Sequence, residues 1–314
     1  MRLAMFLVFL LLSSTAFALE KIDVSRSWNG QKINLSPKLY LPSALKDGEK
    51  VPVMVISHGS GGLRKEHYKL AEDLVAMGVG ALVLDSFKPR EIKGTIHNQA
   101  RLKDIELLVD AVLTLQVLGT HPHVDASRIG YIGFSKTGTV ATRADMRYYT
   151  RRLPYNVKFK LLIAAYPWCG EFPADFSANK STLYVLLGEA DTYASPESCK
   201  LMFKKLKDNG ADIHLKLYPD AEHAWDLEGP KHWEIANGQN YANCRFEETK
   251  SGTWVESKSR INSVKEHERA VSHCMTMGVS GGYNAKVAQE SLRDIKSYVS
   301  ESLLGKEYDL PGSQ

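Results

Sequence analysis

The chain is poor in the features that most quickly sort a protein into a class. It has only 4 cysteines in 314 residues, none of them in a Cys-x-x-Cys pair, which speaks against a zinc ribbon or a thioredoxin-like dithiol. No metal is expected, since His121-Pro122-His123 offers two histidines without a nearby third ligand. The formal net charge is only +4 and the basic residues are dispersed. No nucleic-acid module is recognisable, so nucleic acid is not an expected partner. Repeats and low-complexity tracts are absent. The N-terminal apolar run, residues 3–12, falls short of the roughly 20 apolar residues that a bilayer-spanning helix needs. The glycine-rich stretch His58-Gly59-Ser60-Gly61-Gly62 continues as Leu63-Arg64-Lys65, so it lacks the closing Gly-Lys-Ser or Gly-Lys-Thr of a phosphate-cradling loop.

What the N-terminus does contain reads as an export signal. Arg2 precedes the apolar run, and Ser13-Ser14-Thr15-Ala16-Phe17-Ala18 ends in an Ala-x-Ala pattern. Residues 1–18 therefore read as a signal peptide cut after Ala18, with a mature chain from Leu19 that keeps no stable membrane insertion. No cysteine stands at the cut to carry a lipid. The protein is expected to be exported, periplasmic or secreted. In such compartments cysteines pair, and of the three possible pairings the favoured one joins Cys169 to Cys199 and Cys244 to Cys274. The first pair sits after one central strand and in the helix after the next. The second closes a long insertion, at about 226–283, with a stabilisation of about 3 kcal/mol from reduced unfolded-state entropy.

The length suits a single domain over residues 19–314, and β and α signals alternate along it. Residues 21–26 and 33–41 read as an opening strand pair around the turn signal Asn29-Gly30. Strands follow from Val51, over 81–84, up to Phe134, and over 161–165, 182–187 and 213–218. Helices are expected at about 68–77, 98–118 and 285–303, with others between the later strands. The pattern predicts an α/β fold with a mostly parallel central sheet flanked by helices on both faces. Ligands in such sheets bind beyond the carboxyl ends of the strands.

That is where the chemistry-bearing residues fall. Gly133-Phe134-Ser135-Lys136-Thr137-Gly138 directly follows a β-like run and resembles a nucleophile elbow, with Thr137 where a glycine usually stands. A serine needs a base, and the base needs an orienting acid. Residues 182–187 lead into Gly188-Glu189-Ala190-Asp191, and 213–218 lead through Pro219-Asp220-Ala221-Glu222 to His223. Ser135 is thus the candidate nucleophile, His223 the base and Asp191 the acid. Glu189 competes for the acid role, and His58, His121, His123 and His214 for that of base. The oxyanion donors are expected to be the amides of Ser60 and Lys136, with Gly61 as a neighbour able to substitute.

These motifs, together with Asp85-Ser86-Phe87-Lys88-Pro89-Arg90, Val124-Asp125 with Arg128-Ile129-Gly130, and Tyr218-Pro219 with His223-Ala224, span residues 51–226. The chain resembles the dienelactone hydrolase family of α/β-hydrolases, in its secreted, serine-bearing branch. The resemblance implies an α/β-hydrolase fold, a serine nucleophile with Asp and His in the roles just given, and small-molecule esters or lactones as substrates.

The expected reaction is acyl transfer to water through an acyl-enzyme, with no cofactor. Two rivals stand beside it: an exported peptidase of the same fold, and a non-catalytic binding protein that keeps the fold, suggested by Thr137. Asp85 and Arg90 either line the pocket, form a buried structural pair or stabilise a loop. Tyr166, Trp168, Trp225 and Trp233 are expected to serve mostly in packing, with some as walls of the acyl pocket. Composition sets no oligomeric state.

Overall fold

Alternation along the central strands sets the layers. In the strand Val51–Ser57, Val53 and Val55 join one buried cluster while Met54 and Ile56 join another, because successive side chains of a strand point to opposite faces. Both sets are inaccessible to solvent, so the sheet is covered on both sides. The computed structural model describes residues 17–28, 31–43, 45–256 and 259–308.

Eight strands form the main sheet: β1 (Phe17–Lys21), β2 (Lys38–Pro42), β3 (Val51–Ser57), β4 (Gly80–Leu84), β5 (Val124–Phe134), β6 (Leu161–Ala165), β7 (Thr182–Gly188) and β8 (Asp212–Tyr218). Their spatial order is β1-β2-β4-β3-β5-β6-β7-β8. The β1–β2 and β2–β4 pairs are antiparallel, and the rest are parallel. Among the described residues the α-helices are α1 (Lys65–Ala76), α2 (Asp104–Leu118), α3 (Lys136–Asp145), the short α4 (Arg147–Thr150), α5 (Pro196–Asp208), α6 (Val264–Cys274) and α7 (Ala285–Val299). Leu70 and Leu74 of α1 and Ile295 of α7 pack with Met54 and Ile56, whereas Leu108 of α2, Val140 of α3 and Phe203 of α5 pack with Val53 and Val55. The protein is an α/β fold with helices on both faces, as the alternating pattern indicates.

Three expected boundaries are corrected. The opening strand pair is really four strands: β1 and β2 belong to the main sheet, and a separate hairpin pairs Val24–Trp28 with Gln31–Leu35. Pro37, which has no amide to continue a ladder, marks one break, and its carbonyl accepts from the Ile22 amide at the other. The turn signal Asn29-Gly30 lies outside the described residues. The helix expected from about residue 98 begins at Asp104, preceded by a single 3-10 turn, Gln99–Arg101. Its start is set at Lys103, whose amide donates to Glu106 Oε2 at 2.9 Å, while Gln99 is held by long-range contacts described below. At the C-terminal end, α7 stops at Val299 and passes into a π-helical turn, Ser300–Leu304.

The segment 226–283 is structured. Trp233–Asn240 pairs antiparallel with Thr276–Gly281, and Phe246–Glu248 pairs with Trp254–Glu256 on one side and with Glu171–Phe172 of the main body on the other. Disulfides join Cys169 to Cys199 and Cys244 to Cys274. No helix among the described residues is long and apolar enough to cross a membrane. Most of the stretch read as a signal peptide, residues 1–16, lies outside the described residues. Phe17 and Ala18 are exposed at the end of β1, opposite Pro42 and Leu41.

Candidate active site

Strand β5 ends at Phe134 and α3 begins at Lys136, leaving one residue to make the corner. Ser135 makes it with φ 53° and ψ −115°, a positive-φ backbone that a side-chain-bearing residue adopts only when its surroundings over-determine it. They do. The Ser135 amide donates to Ala165 O at 2.9 Å, and its carbonyl accepts from the Thr139 amide at 3.0 Å. Close passage of strand and helix falls on two glycines. A Cβ on Gly133 would lie 1.9 Å from Thr137 O, and one on Gly138 would lie 2.7 Å from Ala165 O. Thr137, the departure from the expected pattern, fits: its buried Oγ1 accepts from the Phe134 amide at 3.0 Å. Small residues are needed at 133 and 138, and 137 is filled by a side chain that ties the helix back to the strand.

Asp191 stands in the loop after β7 and His223 in the loop after β8. The carboxylate is oriented by two main-chain donors, Tyr193 N and Ala194 N, each 2.8 Å from Oδ1. Its other oxygen, Oδ2, lies 2.7 Å from His223 Nδ1. With Nδ1 donating to that oxygen, Nε2 is left as an acceptor, and it lies 2.8 Å from Ser135 Oγ. Asp191 and His223 are 5% and 4% exposed, so water competes little for these contacts. Tyr166 and Tyr193 press on the imidazole, their ring centroids 4.8 and 4.6 Å away. Among the rival residues, Glu189 reaches toward Lys200 Nζ (3.4 Å) on the surface. His121 pairs with Glu20, His123 with the Glu49 carbonyl, and His214 with Asp212.

The loop after β3 closes over the nucleophile. A Cβ on Gly59 would come 3.1 Å from Ser135 Cβ and 3.2 Å from Phe134 O, so this main chain passes tightly against the nucleophile corner and a side chain here would push on it. Ser60 follows, with its hydroxyl donating to Gln99 Oε1 at 3.0 Å. Lys136 is the first residue of α3, so its amide has no carbonyl one turn back to bind. His58 is buried at the base of the loop, with Nδ1 2.9 Å from Gly59 O and its ring edge-on to Phe87. Asp85 accepts from the amides of Phe87 and Lys88, and Arg90 forms a two-pronged pair with Asp110, both contacts 2.8 Å. The two do not pair with each other: Asp85 holds the turn after β4, and Arg90 is held against α2. Trp225 is packing, with Nε1 bonded to Ser291 Oγ. Trp168 donates to the carbonyl of Tyr241 in the insertion.

Several contacts around the site gave no sequence signal. Lys136 Nζ and Arg143 Nη1 both bind Asp104, at 3.1 and 3.2 Å. Burial alone would raise the Asp104 carboxyl, but the two cations outweigh it and hold it below its ordinary range. Behind His223, Tyr166 donates to Asp226 Oδ1 at 2.6 Å. Burial pushes Asp226 up to about 6, against the lowering effect of that hydroxyl. Burial also pushes the Tyr193 hydroxyl up to about 12, so it is a neutral phenol at physiological pH.

The model of the dienelactone hydrolase family matches residues 40–251, a stretch that holds Ser60, Ser135, Asp191 and His223. No curated protein matches the chain by sequence. Among solved structures, one assigned as a dienelactone hydrolase from Klebsiella pneumoniae subsp. pneumoniae superposes with a TM-score of 0.59 at 15% identity, over 91% of this chain and 99% of that one. The thermophilic esterase Est2 of Thermogutta terrifontis superposes with a TM-score of 0.54 at 15% identity, over 67% of this chain and 84% of that one. A Bacteroides ovatus structure assigned as a dipeptidyl aminopeptidase IV gives 0.52 at 19% identity, over 67% of this chain and 33% of that one. At these identities the likeness bears on the fold. The family match covers most of the chain: it belongs to the dienelactone hydrolase family, α/β-fold hydrolases acting on ester bonds.

Proposed function

We propose that the protein is an exported serine hydrolase that cleaves a carboxylic ester or lactone through an acyl-enzyme, with Ser135 as nucleophile, His223 as base and Asp191 as the orienting acid. The observation that carries this reading is His223 bridging Ser135 and Asp191 through opposite ring nitrogens. As Ser135 Oγ bonds to the carbonyl carbon, its proton passes to His223 Nε2, and Asp191 stabilises the resulting imidazolium. The carbonyl oxygen becomes an oxyanion held by the amides of Ser60 and Lys136. Collapse breaks the bond to the leaving alkoxide, which takes the proton from Nε2. Water then attacks the acyl-enzyme by the same route, releasing the acid and restoring Ser135. Export is supported by the N-terminal Ala-x-Ala pattern and by the paired cysteines, since disulfides persist in oxidising compartments.

The test is a panel of esters, lactones and aminoacyl amides on the protein and its Ser135→Ala variant, with fluorophosphonate labelling alongside. Ester or lactone hydrolysis, with labelling that maps to Ser135 and vanishes in Ser135→Ala, is expected. Retention of most activity in the variant would remove the mechanism. Preference for aminoacyl amides would make the protein a peptidase, and a folded protein that never labels would be a binding protein.

A further inference from the structure

Residues 94–99 run as a strap between the loop after β3 and the insertion. On the inner side, Thr95 N donates to Ser60 O at 2.8 Å and the Ser60 hydroxyl donates to Gln99 Oε1 at 3.0 Å. On the outer side, Gln239 N donates to Ile96 O at 2.9 Å, Gln99 N donates to Gln239 Oε1 at 2.8 Å, and His97 Nδ1 lies 3.0 Å from Asn237 O.

Gln99 reaches further than its neighbours. Lys136 Nζ donates to its carbonyl at 3.0 Å and to its Oε1 at 3.3 Å. Its Nε2 donates to the Tyr193 hydroxyl at 3.0 Å. Tyr193 in turn packs on His223 and gives its amide to Asp191. A single side-chain amide therefore touches the loop of Ser60, the residue after the nucleophile and the loop of Asp191, while its main chain is pinned by the insertion. A primary amide suits this place because it accepts and donates at once. Ser60 and Lys136 need an acceptor, and Tyr193 is met by a donor.

We propose that Gln99 is a positioning residue for the hydrolysis proposed above, on which this inference rests. By holding the Ser60 hydroxyl and the Lys136 ammonium it steadies the two residues whose amides would receive the oxyanion, and it ties both to the insertion through Gln239. Oxyanion donors act only when held within about 0.5 Å of their working positions. Loosening them therefore weakens transition-state binding more than ground-state binding.

The test compares steady-state hydrolysis of a short p-nitrophenyl ester by wild type, Gln99→Met, Gln99→Glu and Ser135→Ala. Gln99→Met keeps the length and removes the polar atoms; kcat is expected to fall about tenfold, on the scale of one net hydrogen bond, with KM within about twofold. Gln99→Glu, which keeps the acceptor for Ser60 and Lys136 and lets Tyr193 become the donor, is expected to recover most of that loss. Gln239→Leu acts from the other side of the strap and is expected to lower kcat by a smaller factor, which gives a second measurement if Gln99→Met folds poorly. Unchanged kcat in both Gln99→Met and Gln239→Leu, or a loss that Gln99→Glu does not recover, would overturn the proposal while Ser135→Ala remained inactive. An inactive wild type that never takes up fluorophosphonate would instead bring down the serine hydrolase reading, and the role of Gln99 with it.

Discussion

Gly133 and Thr137 pass so close at the strand-to-helix corner that a Cβ on the first would lie 1.9 Å from the carbonyl oxygen of the second. The obstacle is main chain, which cannot rotate away. Gly133→Ala is therefore expected to cost about 3 kcal/mol or more of stability, read as a lowered denaturant midpoint, with loss of Ser135 labelling in whatever fraction remains folded.

Thr137 is expected to be tolerated by the chemistry and needed by the fold. Replacing it with valine leaves the buried Phe134 amide without its Oγ1 acceptor, at a cost of about 1–3 kcal/mol. Thr137→Val should still label with fluorophosphonate in its folded state. Abolished labelling in a folded Thr137→Val protein would contradict this.

The two carboxylates after β7 should separate cleanly. Asp191→Asn removes the charge that orients and stabilises His223, and kcat is expected to fall by roughly a thousandfold to ten-thousandfold with the fold intact. Glu189→Gln, at a surface contact with Lys200, is expected to change kcat by less than about twofold. Equal effects of the two substitutions on kcat would refute the assignment.

Asp226 should leave a mark on stability against pH. Its carboxyl is raised from the ordinary 3.8 to about 6. Between those values the folded state keeps a proton that the unfolded chain has released, so this group's contribution to stability falls as pH rises through the window. Asp226→Asn keeps an acceptor for Tyr166 and removes the titration. The Tm of wild type minus that of Asp226→Asn is expected to drop by about 3 °C from pH 4 to pH 6.5, measured by thermal melts in matched buffers.

The disulfide Cys244–Cys274 joins residues 30 positions apart within the insertion. Its replacement by two serines is expected to lower stability by about 3 kcal/mol if the whole domain unfolds as one unit. Limited proteolysis should then cut first within 244–274.

Much of the layering was legible because local patterns report it. Val53, Met54, Val55 and Ile56 form an unbroken apolar run, and such a run between turn signals reads as a strand covered on both faces. The opening strands and the start of α2 depart from the local pattern for the opposite reason. Local propensity over 98–103 is compatible with helix, yet contacts from Ser60, Lys136, Tyr193 and Gln239 hold Gln99 in a 3-10 turn. Partners that far away in sequence leave no trace in a window of a dozen residues.

The candidate site divides in the same way. Residue type and chain order alone singled out Ser135, Asp191 and His223, because a strand followed by a short loop carries its next residues to the carboxyl edge of the sheet whatever the rest of the molecule does. Which carboxylate meets the imidazole, how Thr137 is accommodated, and that Gln99 ties three loops together were decided only in three dimensions. Those outcomes depend on hydrogen bonds that act over about 3 Å, a range at which loop conformation, fixed by packing between distant segments, outweighs anything written locally in the chain.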